Sequence, residues 1–476
     1  MWKTQTAQWH NRGMSRKHHS SATEHFNKLV QFRQAAYQLF GNGRDALFEL
    51  TDAVIQMRQV QSFAELSCAP AFRRKWPSAY EALQDGRPQR DGLLHLYLQQ
   101  LDLSQRLVLA GDHTAWPRLW AATLPGRSYQ HQPTPVPGQR PLTLGLGFST
   151  LAVIPLPHSS WALPLLNEQI PNRQPVGMAA EQLAKVCQKL PVRPLSLWDS
   201  EYGCGTFLLA TAQVPADKLI RLRTNLCLEG PARPRTHPRG PAPQHGQRFK
   251  LKDPTTRWAP AEQVEYETSE FGPVRVSVWM GMRFRRALAC PFHLALVERL
   301  QAPGTRRKPK LLWFCWVGEP PPDRWWELYG QRYPIDHWYR FAKGRLHWTL
   351  PRVITPQQAQ RWSDLMPFLT WELWFARPVV EDNPLPWQKP QLNLSPGRVC
   401  QGMQNILVTI GTPTQACKTR GKSPGWPAGK PRTKHLRYEL DQSERWKELR
   451  RRQREKKATE KVNKGRPKKE NIPKTA

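Results

Sequence analysis

Tyr329, Arg332, Asp336 and Lys343 fall within one short stretch, WWELYGQRYPIDHWYRFAKGRL (325–346), at the spacing Y-x2-R-x3-D-x6-K. A carboxylate offers a hard oxygen ligand to a divalent cation. A guanidinium grips a phosphate as a bidentate fork, and an ammonium acts as a point charge. Two more acids stand where such a group needs them. Asp112 closes the apolar run QRLVLAGD, and Asp199 closes LSLWD. Each sits where a short strand gives way to a loop, the usual place for site residues on a scaffold. Three carboxylates beside two cations suit metal-assisted phosphoryl transfer, in which two Mg²⁺ ions about 3.5–4 Å apart clamp the attacking and leaving oxygens. Bland alternatives stand beside this reading. Asp112 next to Gly111 also suits a turn, charged residues on a helix also suit a solvated face, and Glu201 competes with Asp199 for the second position.

The elements that must hold these acids are legible in outline. After Pro334, Ile335, Trp338, Tyr339, Ala342 and Leu346 recur at helical steps, so Asp336 lies in a first turn, with Arg340 and Lys343 following on a polar stripe. GRSYQHQP (126–133) and LTLGLGFSTLAVIPLP (142–157) read as strands, VGMAAEQLAKVCQKL (176–190) as a helix, and Leu195–Trp198 as a short strand turning through Gly203 and Gly205 into a helix. That β-β-β-α-β order is the order of an RNase H-like sheet. In it the first and fourth strands lie side by side, bringing Asp112 and Asp199 together. DKLIRLRTN (217–225) supplies a fifth strand.

The 325–346 stretch resembles the YREK signature of the insertion-sequence DDE transposases, with Asp336 where that family carries Glu. DHTAWPR around Asp112 and WDSEYG around Asp199 are similar to its first- and second-acid segments. The resemblance implies that Asp112, Asp199 and Asp336 are the catalytic, metal-holding triad for two Mg²⁺ ions, with Mn²⁺ able to substitute. It implies that Arg332 and Lys343 hold phosphates near the scissile bond and that Tyr329 bonds a phosphate oxygen. Tyr333 could stack on a displaced base, with structural packing as the alternative. The implied partners are double-stranded DNA, both inverted-repeat ends and target, and a second copy of the chain in a synaptic homodimer.

Composition agrees with a polyanionic partner. Lys and Arg outnumber Asp and Glu 71 to 37, a net charge of +34 that phosphate neutralisation accounts for better than solubility does. No run of 18 apolar residues exists, so no membrane partner is expected. No secretory leader is seen, and the eight scattered Cys lack a CxxC pair, which fits a reduced cytosolic setting; the resemblance implies the bacterial cytoplasm, associated with the nucleoid.

The expected fold class is α/β, an RNase H-like mixed-sheet core with a β-rich insertion, a helical N-terminal region and a basic, partly disordered C-terminal tail. Residues 1–102 form the helical region, a DNA-binding or cap unit that opens with a mobile arm over 1–24. The core's first part spans 103–225. A basic β-rich insertion over 226–321 carries Arg233, Arg235, Arg239, Arg248 and Lys250, with Arg248 and Lys250 as DNA contacts. The catalytic helix and the helices after it occupy 322–388, including one capped by Thr355 with Pro356 at its first position and Pro367 as a kink. The tail, 389–476, has little to build a core, a charged helix over 438–457 and a GRPKK segment (465–469) like an AT-hook core. The expected activity is metal-dependent hydrolysis at element ends followed by strand transfer. The alternatives are a catalytically inactive, transposase-derived DNA-binding protein and a nuclease without strand transfer.

Overall fold

Apolar residues alternate in the short runs and recur every three or four residues in the longer ones, which selects strands and helices respectively. The computed structural model describes residues 10–131, 142–232, 245–300, 311–417, 428–431, 434–441 and a few positions from 447 to 455. The N-terminal part is helical: α1 (His10–Leu39), α2 (Arg44–Gln56), α3 (Trp76–Asp85) and α4 (Arg90–Leu98). Gly43 at φ 73° turns α1 into α2. The arm expected over 1–24 is corrected from His10 onward, where the chain is already helix. Leu29, Phe32, Ala36 and Phe40 are buried further along α1, and a helix nucleated there extends backward at little cost.

The central sheet begins with β1 (Val108–Pro117), β2 (Ser128–His131), β3 (Leu142–Val153) and β4 (Leu163–Gln169). After helix α5 (Pro175–Cys187) come β5 (Leu195–Trp198), α6 (Gly205–Ala210) and β6 (Asp217–Leu222). β1 pairs antiparallel with β3, β3 antiparallel with β4, β1 parallel with β5, and β5 parallel with β6. The order β4-β3-β1-β5-β6 is that of an RNase H-like core. The strands that follow are β7 (Cys227–Ala232), β8 (Gly246–Lys250), β9 (Glu262–Thr268), β10 (Gly272–Phe284), β11 (Ala287–Arg299) and β12 (Leu312–Val317). They extend the same sheet, because β12 pairs with β6 and leads through β11, β10 and β7 to β8 at the far edge.

The later helices are α7 (Pro334–Gly344), which contacts β1, α8 (Pro356–Ala376), which packs on β4, and α9 (Pro396–Ile410), which packs on α8 and α2. A reciprocal capping box starts α8: Gln358 N donates to Thr355 Oγ1 and Thr355 N donates to Gln358 Oε1, both at 3.2 Å. The helix continues through Pro367, and almost its whole length is buried. Phe32 of α1 packs on Phe368 and Phe375 of α8, with centroids 5.9 and 4.7 Å apart. Buried Arg33 pairs with Asp52 at 3.0 Å and with Glu372. The N-terminal helices therefore share one core with α8 and the sheet.

The expectation of a coreless tail from 389 is corrected by α9, whose Val399, Cys400, Met403 and Leu407 are buried. Their helical spacing is diluted in composition by the Pro, Gly and Lys around them. Residues 434–441 are not helical. Tyr438 N donates to Ala122 O at 3.0 Å and Asp441 N to Arg127 O at 2.7 Å, so the predicted charged helix does not start at 438. Most of that segment, together with GRPKK and Arg233, Arg235 and Arg239, lies outside the described residues. The eight cysteines are free. Among the described residues no helix is long and apolar enough to cross a membrane.

Candidate active site

A tight register contact joins the two strand acids. Gly111 on β1 is the partner of Trp198 on β5. A Cβ at Gly111 would sit 2.0 Å from Cζ3 of Trp198, so only glycine lets the indole lie across β1. The next residues, Asp112 and Asp199, emerge together where the parallel pairing ends. The expectation that β1 stops at Asp112 is corrected: the strand runs on to Pro117, with Asp112 opposite Thr150 of β3. Asp112 ends only the parallel half of the ladder, because β5 is short and β3 is long.

Arg332 is the hub of the site. It ends a 3₁₀ turn (Trp325–Arg332) just before α7 and is buried. Its guanidinium lies 2.7 Å from Asp112 Oδ2 and 3.4 Å from Asp336 Oδ2. Burial works against its charge, yet Asp112, Tyr329, Asp336 and Asp199 together hold its pKa above the usual value. Asp112 responds in the opposite sense. Burial raises its carboxyl to about 6, Arg332 and His113 oppose the rise, and the negative charges of Asp199 and Asp336 add to it. The two shifts agree physically, since Arg332 answers to three acids while Asp112 answers to one strong cation and two repelling carboxylates. Asp199 and Asp336 are thus both within electrostatic reach of Asp112.

Donor capacity in this hub is left over. Arg332 Nε is buried without a hydrogen-bond partner, and Nη2, though close to Asp112, is not aligned for a hydrogen bond.

α7 is pinned across β1. Tyr339 hydroxyl donates to Asp112 O at 2.9 Å, and Lys343 Nζ donates to Thr114 Oγ1 at 2.6 Å. Lys343 therefore turns inward from the expected polar stripe, and burial lowers its pKa to about 8. Arg340 stays exposed. Asp336 sits in the first turn, its side chain 41% exposed. Tyr329 packs on Phe314, and burial pushes its hydroxyl up to about 12. Tyr333 is half exposed at the helix start.

Asp199 Oδ1 accepts from Glu201 N at 2.7 Å. Glu201 itself turns toward His113 (3.9 Å) and Arg223 (3.8 Å), beside the acids and not among them. Arg248 and Lys250 are not brought to the site. They are exposed on β8, at the opposite end of the strand order from β2. The sequence reading assigns no role to His113 or to the Tyr339 hydroxyl. Buried Tyr339 carries a signal all the same, since a tyrosine on an apolar stripe needs a partner for its O–H.

Among the described residues no group of three or more His, Cys, Asp or Glu is drawn close enough to share an ion. The donor set is nevertheless all carboxylate oxygen, as Mg²⁺ prefers. Burial is the main reason Asp112's pKa is raised, and the charges of Asp199 and Asp336 add to it, a cost that a bound cation would offset. In ligand chemistry, though not in spacing, these residues suit a divalent metal.

A family model described as "DDE superfamily endonuclease" matches residues 36–277, about half of the 476-residue chain. The protein belongs to the DDE superfamily endonucleases. The matched span includes Asp112 and Asp199 and stops before Asp336. Among solved structures the chain is similar to the piggyBac transposase in its cryo-EM synaptic complex with hairpin DNA. The TM-score is 0.39 and the identity 10%, over 85% of this chain and 86% of that one. Comparison with curated proteins gives no match.

Proposed function

We propose that the protein is a DNA transposase of the insertion-sequence type. In this reading Asp112, Asp199 and Asp336 are its catalytic triad, and Tyr329, Arg332, Asp336 and Lys343 form a YREK-like set with Asp in the acidic place. The observation that carries the reading is Arg332: a buried guanidinium between Asp112 and Asp336 whose Nε has no protein acceptor. It is suited to grip a non-bridging phosphate oxygen of a strand laid across the acids. Asp112, Asp199 and Asp336 would hold the divalent metal, which when bound activates the attacking oxygen and neutralises charge developing on the phosphate. Tyr339 fixes the backbone at Asp112, Lys343 ties α7 to β1, and Tyr333 stands exposed at the entrance. The reaction is hydrolysis of one strand at the element's end, freeing a 3′-hydroxyl, which then attacks a target phosphodiester and displaces the 3′-oxygen of the target strand. DNA is the substrate, a second copy of the chain the synaptic partner, and the bacterial nucleoid the setting.

The test is Mg²⁺- or Mn²⁺-dependent nicking and joining of DNA carrying the element's ends. The reading expects both activities in the wild-type chain and neither in Asp112→Asn, Asp199→Asn or Asp336→Asn. Tight DNA binding without cleavage points to an inactive DNA-binding descendant, which the shorter Asp336 side chain favours. Cleavage without joined product points to a plain nuclease. Nicking that survives all three substitutions refutes the site.

A further inference from the structure

Beyond the carboxylates, α7 presents an exposed face of Tyr333, His337, Arg340 and Gly344. These positions are spaced four, three and four residues apart, so they form one stripe from the Asp336 end of the helix to its C-terminus. Just past that end the chain enters an open groove of about 670 Å³ between the C-terminus of α2, the C-terminus of α7 and the start of α9. Its lining holds four cations, Arg58, Arg345, Lys389 and Arg398, together with four glutamines, and no acid among the described residues.

Two of the cations are committed to the fold. Arg345 donates to Val54 O, Ile55 O and Met57 O, closing the end of α2. Arg398 is paired with Asp382 at 2.7 Å. Arg58 and Lys389 are exposed, and neither has an acidic partner among the described residues; the same holds for Arg340. Trp387, 77% exposed, stands two residues before Lys389. Cations without acids, amides that donate and accept, and a bare indole are the chemistry of a surface for phosphodiesters.

We infer that this groove is a second DNA-contact surface, which receives the duplex backbone leaving the catalytic carboxylates along the exposed face of α7. The inference rests on the transposase reading above and adds to it where the DNA runs. Arg345 lies nine positions after Asp336, about 14 Å at 1.5 Å per helical residue. That is a displacement of about four base pairs at 3.4 Å each. Arg58 and Lys389 therefore meet phosphates roughly four base pairs from the scissile one.

The experiment uses the full chain and a duplex carrying an element end. Binding is followed by fluorescence anisotropy from about 50 to 200 mM salt, with hydroxyl-radical footprinting of the same complex. The variant is Arg58→Gln/Lys389→Gln, which spares the two structural arginines. The inference expects a salt slope shallower by about 1.8, two phosphate contacts at about 0.9 each, and lost protection about four base pairs from the cut position. A control that removes equal charge elsewhere, Lys185→Gln/Lys189→Gln, is expected to leave that protection intact. An unchanged slope and footprint in the variant overturn the inference while leaving the catalytic site standing. Footprint loss shared equally by the control overturns it as well, since bulk charge then suffices. A wild-type chain that binds no duplex at any salt refutes the transposase reading itself.

Discussion

Gly111→Ala is the most economical test of how the site is assembled. The substitution adds one methyl group whose carbon would lie 2.0, 2.3 and 2.6 Å from three ring atoms of Trp198. Trp198 is fully buried and packed on Tyr202 and Phe207 at centroid distances of 4.9 and 4.8 Å, so the ring cannot simply swing away. β1 must instead move off β5 by about an ångström or more. Overpacking of this kind costs about 1–3 kcal/mol, a fall of roughly 2–6 °C in melting temperature for a unit this large. The functional effect is expected to be larger than the stability effect. Asp112 and Asp199 follow the two clashing residues directly, and a misplacement of about 1 Å in a reacting constellation can cost about 100-fold in rate. Differential scanning calorimetry reads the first quantity, and single-turnover nicking at saturating Mg²⁺ reads the second. Trp198→Leu in the Gly111→Ala background makes room for the methyl and is expected to restore part of both. A Gly111→Ala protein that melts and nicks like wild type refutes the claim that this contact sets the spacing of the acids.

The other predictions concern charge. Arg332→Lys keeps the cation and loses the fork, so nicking is expected to fall roughly 10–100-fold with duplex affinity nearly unchanged. Equal loss of both in a binding and single-turnover comparison would mean that the fork has no special role. Asp364 on α8 is buried, and burial raises its carboxyl to about 6 against the pull of Arg90 and Gln360. Its folded pKa lies above its ordinary value, so the native state holds the extra proton between about pH 4 and 6, and stability falls as pH rises through that window. Asp364→Asn removes this term, so the melting temperature of the variant relative to wild type is expected to climb from pH 4 to pH 7. The change is of order 1–3 kcal/mol at about 1.4 kcal/mol per pH unit, and a flat difference across that range refutes the assignment.

The sequence by itself determined the element types near the site. Alternation and helical spacing around 108–112, 195–198, 217–222 and 335–346 mark strands and a helix that the structure contains, and the Thr355–Pro356 start of α8 is readable because capping is local chemistry. The charge excess pointed to a polyanion for an equally local reason. What the tertiary structure decided is everything that depends on a distant partner. Asp112 proved to lie mid-strand because β3 outlasts β5 along β1. Lys343 left its polar stripe because Thr114 of β1 lies beneath it. Helix α9 forms in a Pro- and Lys-rich stretch because α2 and α8 offer its apolar side a surface, and α1 extends back to His10 because its later turns are buried. The spacing of Arg332 from Tyr329 and Asp336 singles it out in the chain, but not as a partner of Asp112. Arg332 becomes the centre of the site only when β1 and α7 bring Asp112 and Asp336 to its two sides, since a charge is worth most where water is excluded and the opposing charges are fixed.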